Sequence, residues 1–444
     1  MVTTLRTRLS RAGARQRRCF SLRAAARSVV SPCQRTPSQP TRARPTAVSR
    51  FKGKQSFRNG FRALVAGAGT GDATIFLAEQ LRHRGGQVVH LDLSAASIAI
   101  AQERARIRGL DNISWVHDSL LNLPGLGLGQ FDYISCSGVL HHLADPDLGF
   151  KALQSVLAPA GAIGLMVYGK TGRTGVYQVQ ALMRLVNGAE GDRQRKIANT
   201  RAVLASLPAK NWFKRGEDLY FAHKAGDAGI YDLLLHSQDR ACSVGELFDW
   251  LSHDQTGGGY GKHLEFTDVH RGRSAYLPNM VLGTKPALTP PALEQLTRRQ
   301  QYEIAELLSG DIVPHSLYVT AAPASTAVFG DSDTIPFFYH EPMTGESTSR
   351  IFGASRGQTF TLRHQHSGMT VNVNPGRYGA QLLRLIDGQR SCGEIFALFR
   401  ADWHGKAAAT DDATLFADFA PVYETLNALE RLLLKHPDCE GTVG

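Results

Sequence analysis

The chain has 444 residues, enough for two or three domains with their own cores. Its 43% apolar and 20% charged content is that of a globular protein, and no apolar run reaches the roughly 18 to 20 residues needed to span a bilayer. The net charge of +11 sits at the start: residues 1–71 carry 16 Lys and Arg and no acid, which leaves 34 basic against 39 acidic residues in the rest. A mildly acidic body argues against duplex DNA or RNA as the partner of the core.

Residues 1–50 hold 12 Arg, no Lys, no acid and many Ser, Thr and Ala, the composition of an organelle transit peptide. Arg18-Cys19-Phe20-Ser21 resembles a mitochondrial processing site. The expected address is the mitochondrion, with a plastid as the alternative, or the cytoplasm if the leader is only a basic tail. Six scattered cysteines without a C-x-x-C pair argue against a disulfide framework or a zinc site.

From about residue 62 to 168, short apolar runs alternate with amphipathic stretches, the pattern of a parallel sheet with helices on both faces. Strands are expected at 63–66, 87–91, 113–116, 131–136 and 161–168, with helices near 73–84, 95–108 and 146–157. The first strand runs into Gly67-Ala68-Gly69-Thr70-Gly71-Asp72, and a helix starts at once. Glycine at alternate positions lets the backbone turn sharply and lets a ligand lie against the main chain. The second strand ends in Asp92, where a carboxylate can accept hydrogen bonds from a ribose. A dinucleotide fingerprint needs its third glycine at position 72, which is Asp72 here.

Strand–GxGxG–helix resembles motif I of the class I S-adenosylmethionine-dependent methyltransferases. Residues 89–94 (Val-His-Leu-Asp-Leu-Ser), His117-Asp118-Ser119, the strand 131–137 and the turn 157–161 resemble the motifs that follow, in the same order over about 110 residues. The resemblance implies S-adenosylmethionine as cofactor. It assigns Gly67, Ala68, Gly69, Thr70 and Gly71 to the loop under the methionyl group, Asp92 and Leu93 to the ribose, and Asp118, Ser119 and Ser137 to the rest of the site. One position departs: the family usually has an acid two residues before the first glycine, and here it is Val65. Asp72 is either a substitute for that acid or a plain helix-start charge.

The expected catalytic candidates are His141, His142 and Tyr168, at the carboxyl ends of the fourth and fifth strands, where substrates approach in such folds. Either histidine takes a proton or orients the acceptor; alternatively one caps the next helix and the other packs beside it. Lys170, Arg173 and Tyr177, interleaved with glycines, suit an acidic or aromatic group, or belong to an ordinary mobile loop. The island His236-Ser237-Gln238-Asp239-Arg240 either faces the site or caps the helix after it. His364 and His366 have ligand-like spacing without further partners, so no metal is expected.

Residues 171–320 read as a helical insert or lid, with helices at 178–187, 193–206, 244–252 and one starting at Thr289-Pro290-Pro291. Residues 321–356 read as a linker, and 357–444 as a small α+β unit with a hairpin at 359–373 and helices at 377–387, 392–402 and 412–435. The helix–Asp387-Gly388–helix pattern faintly resembles winged-helix peptide-binding modules. The fold class expected is therefore α/β: a doubly wound, mostly parallel Rossmann-like methyltransferase sheet with a helical insert and a small α+β C-terminal domain. The function expected is methyl transfer to a small-molecule or peptide acceptor, nucleic acid ranking third; the alternative is a non-catalytic organellar assembly factor that keeps the fold.

Overall fold

A computed structural model describes residues 60–252, 265–269, 273–283, 296–320, 327–339, 344–354, 358–363, 370–402, 409–435 and 437. The leader, the 289–291 helix start and the His364/His366 pair lie outside the described residues.

A seven-stranded sheet forms the body. Its strands are β1 (Arg62–Ala66), β2 (Gln87–Asp92), β3 (Ile113–His117), β4 (Phe131–Ser137), β5 (Leu157–Tyr168), β6 (Glu265–Val269) and β7 (Pro314–Thr320), in the order β3-β2-β1-β4-β5-β7-β6. The first five are parallel; β7 lies antiparallel between β5 and β6. Strand order reverses between β1 and β4, so a crevice opens above their carboxyl ends. Both faces of the sheet are apolar, which is why β1 reads as an unbroken run rather than an alternation. Leu64, Ala66 and Leu91 face α3 (Pro146–Ser155), whereas Ala63, Val65 and Val88 face α1 (Asp72–Leu81). Helix α2 (Ala95–Ile107) starts at Ser94, whose hydroxyl accepts from the Ser97 amide as an N-cap.

Within the insert, α4 (Thr174–Asn187), α5 (Arg193–Ser206) and α6 (Val244–Ser252) occupy the expected stretches. The insert is not only helical. After α7 (Arg298–Ser309) the chain returns to the sheet as β7, and β6 edges it. Neither strand stands out locally: β6 carries Glu265 and Asp268 among its five residues, and β7 opens on a proline.

Residues 335–338, inside the expected linker, form β8 (Ile335–Phe338), followed by α8 (Gly345–Gly353). The hairpin is present as β9 (Phe360–Arg363) and β10 (Thr370–Val373), and helices α9 (Gly379–Leu385) and α10 (Cys392–Asp402) follow. The expected helix at 412–435 is shorter: it is α11 (Asp412–Ala428), after which Glu430 takes a left-handed φ of 56° and β11 (Leu432–Lys435) pairs with β8. Pairing at long range has overridden a local helical pattern. These elements enclose their own core, with Phe396, Phe399, Leu415 and Val422 at its centre.

Candidate functional site

The glycine loop is built as its spacing requires. Gly67, Gly69 and Gly71 have φ of 68°, 56° and 89°, where a side chain is strained. A Cβ on Gly67 would strike the Val139 side chain, and one on Gly71 would lie 2.7 Å from the Ala101 Cβ. Beside Gly69 there is open space, with nothing within 4 Å of a Cβ position. The cradle is thus closed behind and open in front.

Asp92 holds that loop. Its Oδ2 accepts from the Gly69 amide at 2.6 Å, and its Oδ1 accepts from the Ser94 amide at 2.8 Å. A carboxylate has about four lone-pair sites, so each oxygen can still accept from a ribose hydroxyl. The loop is tied from the other side by Arg104 of α2. Its guanidinium donates to the Thr70 carbonyl at 2.6 Å and pairs with Asp72 at 2.5 Å. Asp72 is therefore more than a helix-start charge. Val65, where the family usually has an acid, is packed among Ala63, Ala78 and Tyr133. Asp92 and Arg104 do the fastening instead, and no local sequence signal marks Arg104, 34 residues from Thr70.

Beyond β3, the Asp118 carboxylate accepts from Asn122 Nδ2 at 2.7 Å and the Ser119 amide at 2.6 Å, which holds it below the usual carboxylate range. Leu93 is exposed, as a residue covering a bound nucleoside would be. The Ser137 hydroxyl is buried without a hydrogen-bond partner among the described residues. An open cradle, an anionic ribose partner and an unsatisfied hydroxyl fit an adenosine-type cofactor that carries no phosphate.

The carboxyl ends of β4 and β5 gather the catalytic candidates. His141 is buried and stacked on Tyr168 at 3.8 Å, and both its ring nitrogens are unpartnered among the described residues. Burial, with His142, Arg173 and His236 nearby, pushes its pKa down to about 2, so the ring is neutral. His142 is half-buried, and its Nδ1 lies 2.9 Å from the Gln238 carbonyl. A carbonyl only accepts, so Nδ1 carries the proton and Nε2 the lone pair. Burial lowers the pKa of His142 too, ahead of the opposing pull of that hydrogen bond. Neither histidine caps the next helix; the Asp145 side chain does.

Tyr168 forms a wall. The Arg173 guanidinium lies 3.6 Å over its ring, and burial raises its phenol to about 12. Arg173 is itself buried and paired with Asp239 at 2.9 Å, both side chains being almost wholly enclosed. Tyr177 and Gln180 also donate to Asp239. The loop 169–175 is tightly packed: Gly172 abuts the Ile312 backbone, and Tyr220 donates to its carbonyl. Lys170 pairs with Glu246. Both cations expected for an acidic substrate thus have internal partners. The island at 236–240 faces this cluster, and the cap of α6 is Ser243, which exchanges hydrogen bonds with Glu246. Phe213 is insert core, while Trp212 beside it is exposed.

A reversed strand order with an antiparallel seventh strand, a glycine cradle and an acid ending β2 together define a class I S-adenosylmethionine-dependent methyltransferase domain, with S-adenosylmethionine as its cofactor. The family model for a methyltransferase domain matches residues 64–163. An uncharacterized protein of Synechococcus is 32% identical over 277 residues, 62% of this chain and 63% of the relative. The tRNA 5-carboxymethoxyuridine methyltransferase of Escherichia coli is 37% identical over 112 residues, 25% of this chain and 41% of that enzyme. The chain thus spans less than two thirds of the length of these curated relatives. Among solved structures, PKMT2 from Rickettsia typhi in complex with AdoHcy shares the fold over 88% of this chain and 74% of its own, with a TM-score of 0.59 at 14% identity. The described residues contain no group of metal ligands and no helix long and apolar enough to cross a membrane.

Proposed function

We propose that this protein transfers a methyl group from S-adenosylmethionine to a small-molecule or peptidyl acceptor seated at the carboxyl ends of β4 and β5. The observation that carries the reading is the junction of the two halves of the site. Gly67 of the cofactor loop packs directly against Val139, whose carbonyl accepts from the His142 amide at 2.9 Å. Cradle and imidazole are thereby fixed to one another within a few residues.

The cofactor supplies an electrophilic methyl group on a sulfonium, and the protein's task is alignment and exclusion of water. Asp92 and Arg104 hold the loop that cradles it. His142, with a lone pair on Nε2, takes the proton of an acceptor that arrives protonated. His141 stays neutral and serves as a hydrogen-bonding wall, since a ring with a pKa of about 2 is a poor base near neutrality. Tyr168 stays protonated and shapes the floor beside it.

Calorimetric titration with S-adenosylmethionine tests the reading; a folded protein that takes up no cofactor would sink it. Labelled cofactor added to an organelle extract would then show whether label enters small molecules or protein. The arginine-rich leader supports delivery to the mitochondrion, and a fluorescent fusion of residues 1–50 that stays in the cytoplasm would refute that.

A further inference from the structure

Resting on that methyl-transfer reading, we infer that His142 and His236 act on the acceptor as an opposed pair, and that the acceptor carries a hydroxyl beside a second oxygen. The main chain fixes both rings. His142 Nδ1 donates to the Gln238 carbonyl at 2.9 Å, so its Nε2 holds the lone pair. His236 Nδ1 lies 3.1 Å from the Gln238 amide, which only donates, so here Nδ1 holds the lone pair and Nε2 the proton. One residue therefore sets two imidazoles in opposite tautomers. Their rings are 4.0 Å apart and tilted by 36°, and both are half-buried. Neither Nε2 has a protein partner among the described residues.

A lone pair beside an N–H matches a substrate that offers an O–H beside an oxygen. The hydroxyl gives its proton to His142 Nε2 as its oxygen forms the bond to the methyl carbon; the carbon–sulfur bond breaks and its electron pair stays on sulfur. The imidazolium then releases the proton to water, so one positive charge enters on the sulfonium and one leaves as a proton. His236 Nε2–H donates to the neighbouring oxygen throughout and holds the reacting hydroxyl in line. Asp232 and Asp239 steady the charge on His142, and His236, neutral in this arrangement, does not oppose it. A lone hydroxyl engages only one ring of the pair.

The full-length protein labelled with 15N-histidine tests the tautomers directly. Long-range nitrogen–proton spectra, assigned with His142→Gln and His236→Gln, should show Nδ1–H for His142 and Nε2–H for His236; the same tautomer at both would overturn the pair. Calorimetry on the AdoHcy-saturated protein should show catechol binding about tenfold more tightly than phenol, the worth of one added hydrogen bond. His236→Phe should erase that preference, and His236→Asn, which keeps an N–H, should restore part of it, with AdoHcy affinity unchanged in both. Equal binding of the two phenols, binding of neither, or an undiminished preference in His236→Phe would overturn the proposal. Failure of AdoHcy itself to bind would instead overturn the methyl-transfer reading beneath it, and the spectra would still report the tautomers.

Discussion

The proposed cofactor half of the site, over β1, β2 and β3, and the proposed acceptor half, over β4 and β5, are stabilised in different ways. The first is held by backbone amides and by side chains near the surface: Asp92 on Gly69, and Arg104 on Thr70 and Asp72, the latter pair about one third exposed. The second is held by a buried ion pair, Arg173–Asp239, sealed by Tyr177, Gln180 and the Tyr168 ring. A loop fastened by shared amides can adjust to a ligand, because a carboxylate can exchange one donor for another at little cost. A buried pair cannot, since either partner alone leaves an uncompensated charge. The contrast places adaptability on the cofactor side and rigidity on the acceptor side.

The largest test of that contrast is Arg173→Ala. It strands Asp239 in the interior and should cost about 3 to 5 kcal/mol of stability, read by thermal or urea unfolding. An unchanged melting temperature would show that the pair is not what stiffens the acceptor half. Next is Asp92→Ala, which removes a charged acceptor from both the loop and the ribose. At about 1.5 to 3 kcal/mol for such a bond, cofactor affinity should fall about 10- to 100-fold while the melting temperature moves little. An unchanged dissociation constant would remove Asp92 from the cofactor site.

The effect of pH falls on buried imidazoles. Burial pushes His90 down to about 4 and His141 to about 2, whereas both titrate near 6.5 when unfolded. The unfolded chain therefore binds more protons below pH 6.5, and the stability these rings contribute is fully present above that pH and is lost as pH falls toward the folded values. Each histidine should cost about 1.4 kcal/mol between pH 7.5 and pH 5.5. Melting curves between pH 7.5 and 5.5 check this, and a flat profile would contradict it. The smallest effect is expected for Arg104→Ala. An exposed clamp of this kind is worth up to about 1 kcal/mol, so cofactor affinity should drop only several-fold, with partial rescue by Arg104→Lys. A loss as large as that of Asp92→Ala would make Arg104 an equal anchor.

Much of this protein was legible without coordinates. Five parallel strands, the glycine loop and Asp92 follow from local rules: apolar runs for buried strands, glycine where φ must be positive, and an acid at a strand end. Those signals are written in adjacent residues. The placement of His141 and His142 at the active edge also follows from chain order alone, because they come directly after the fourth strand. What they do there does not follow. The tautomer of His142 depends on a carbonyl 96 residues away, and Arg173 is removed from substrate binding by a carboxylate 66 residues away. Strands β6, β7 and β11 were hidden for the same reason: each is a strand because of the strand it pairs with. Sequence determined the glycine loop, the acid that ends β2 and the edge of the sheet at which both stand. Tertiary structure decided which charges are spent internally and which imidazole nitrogens remain free, since hydrogen bonding between distant segments leaves no mark on either segment by itself.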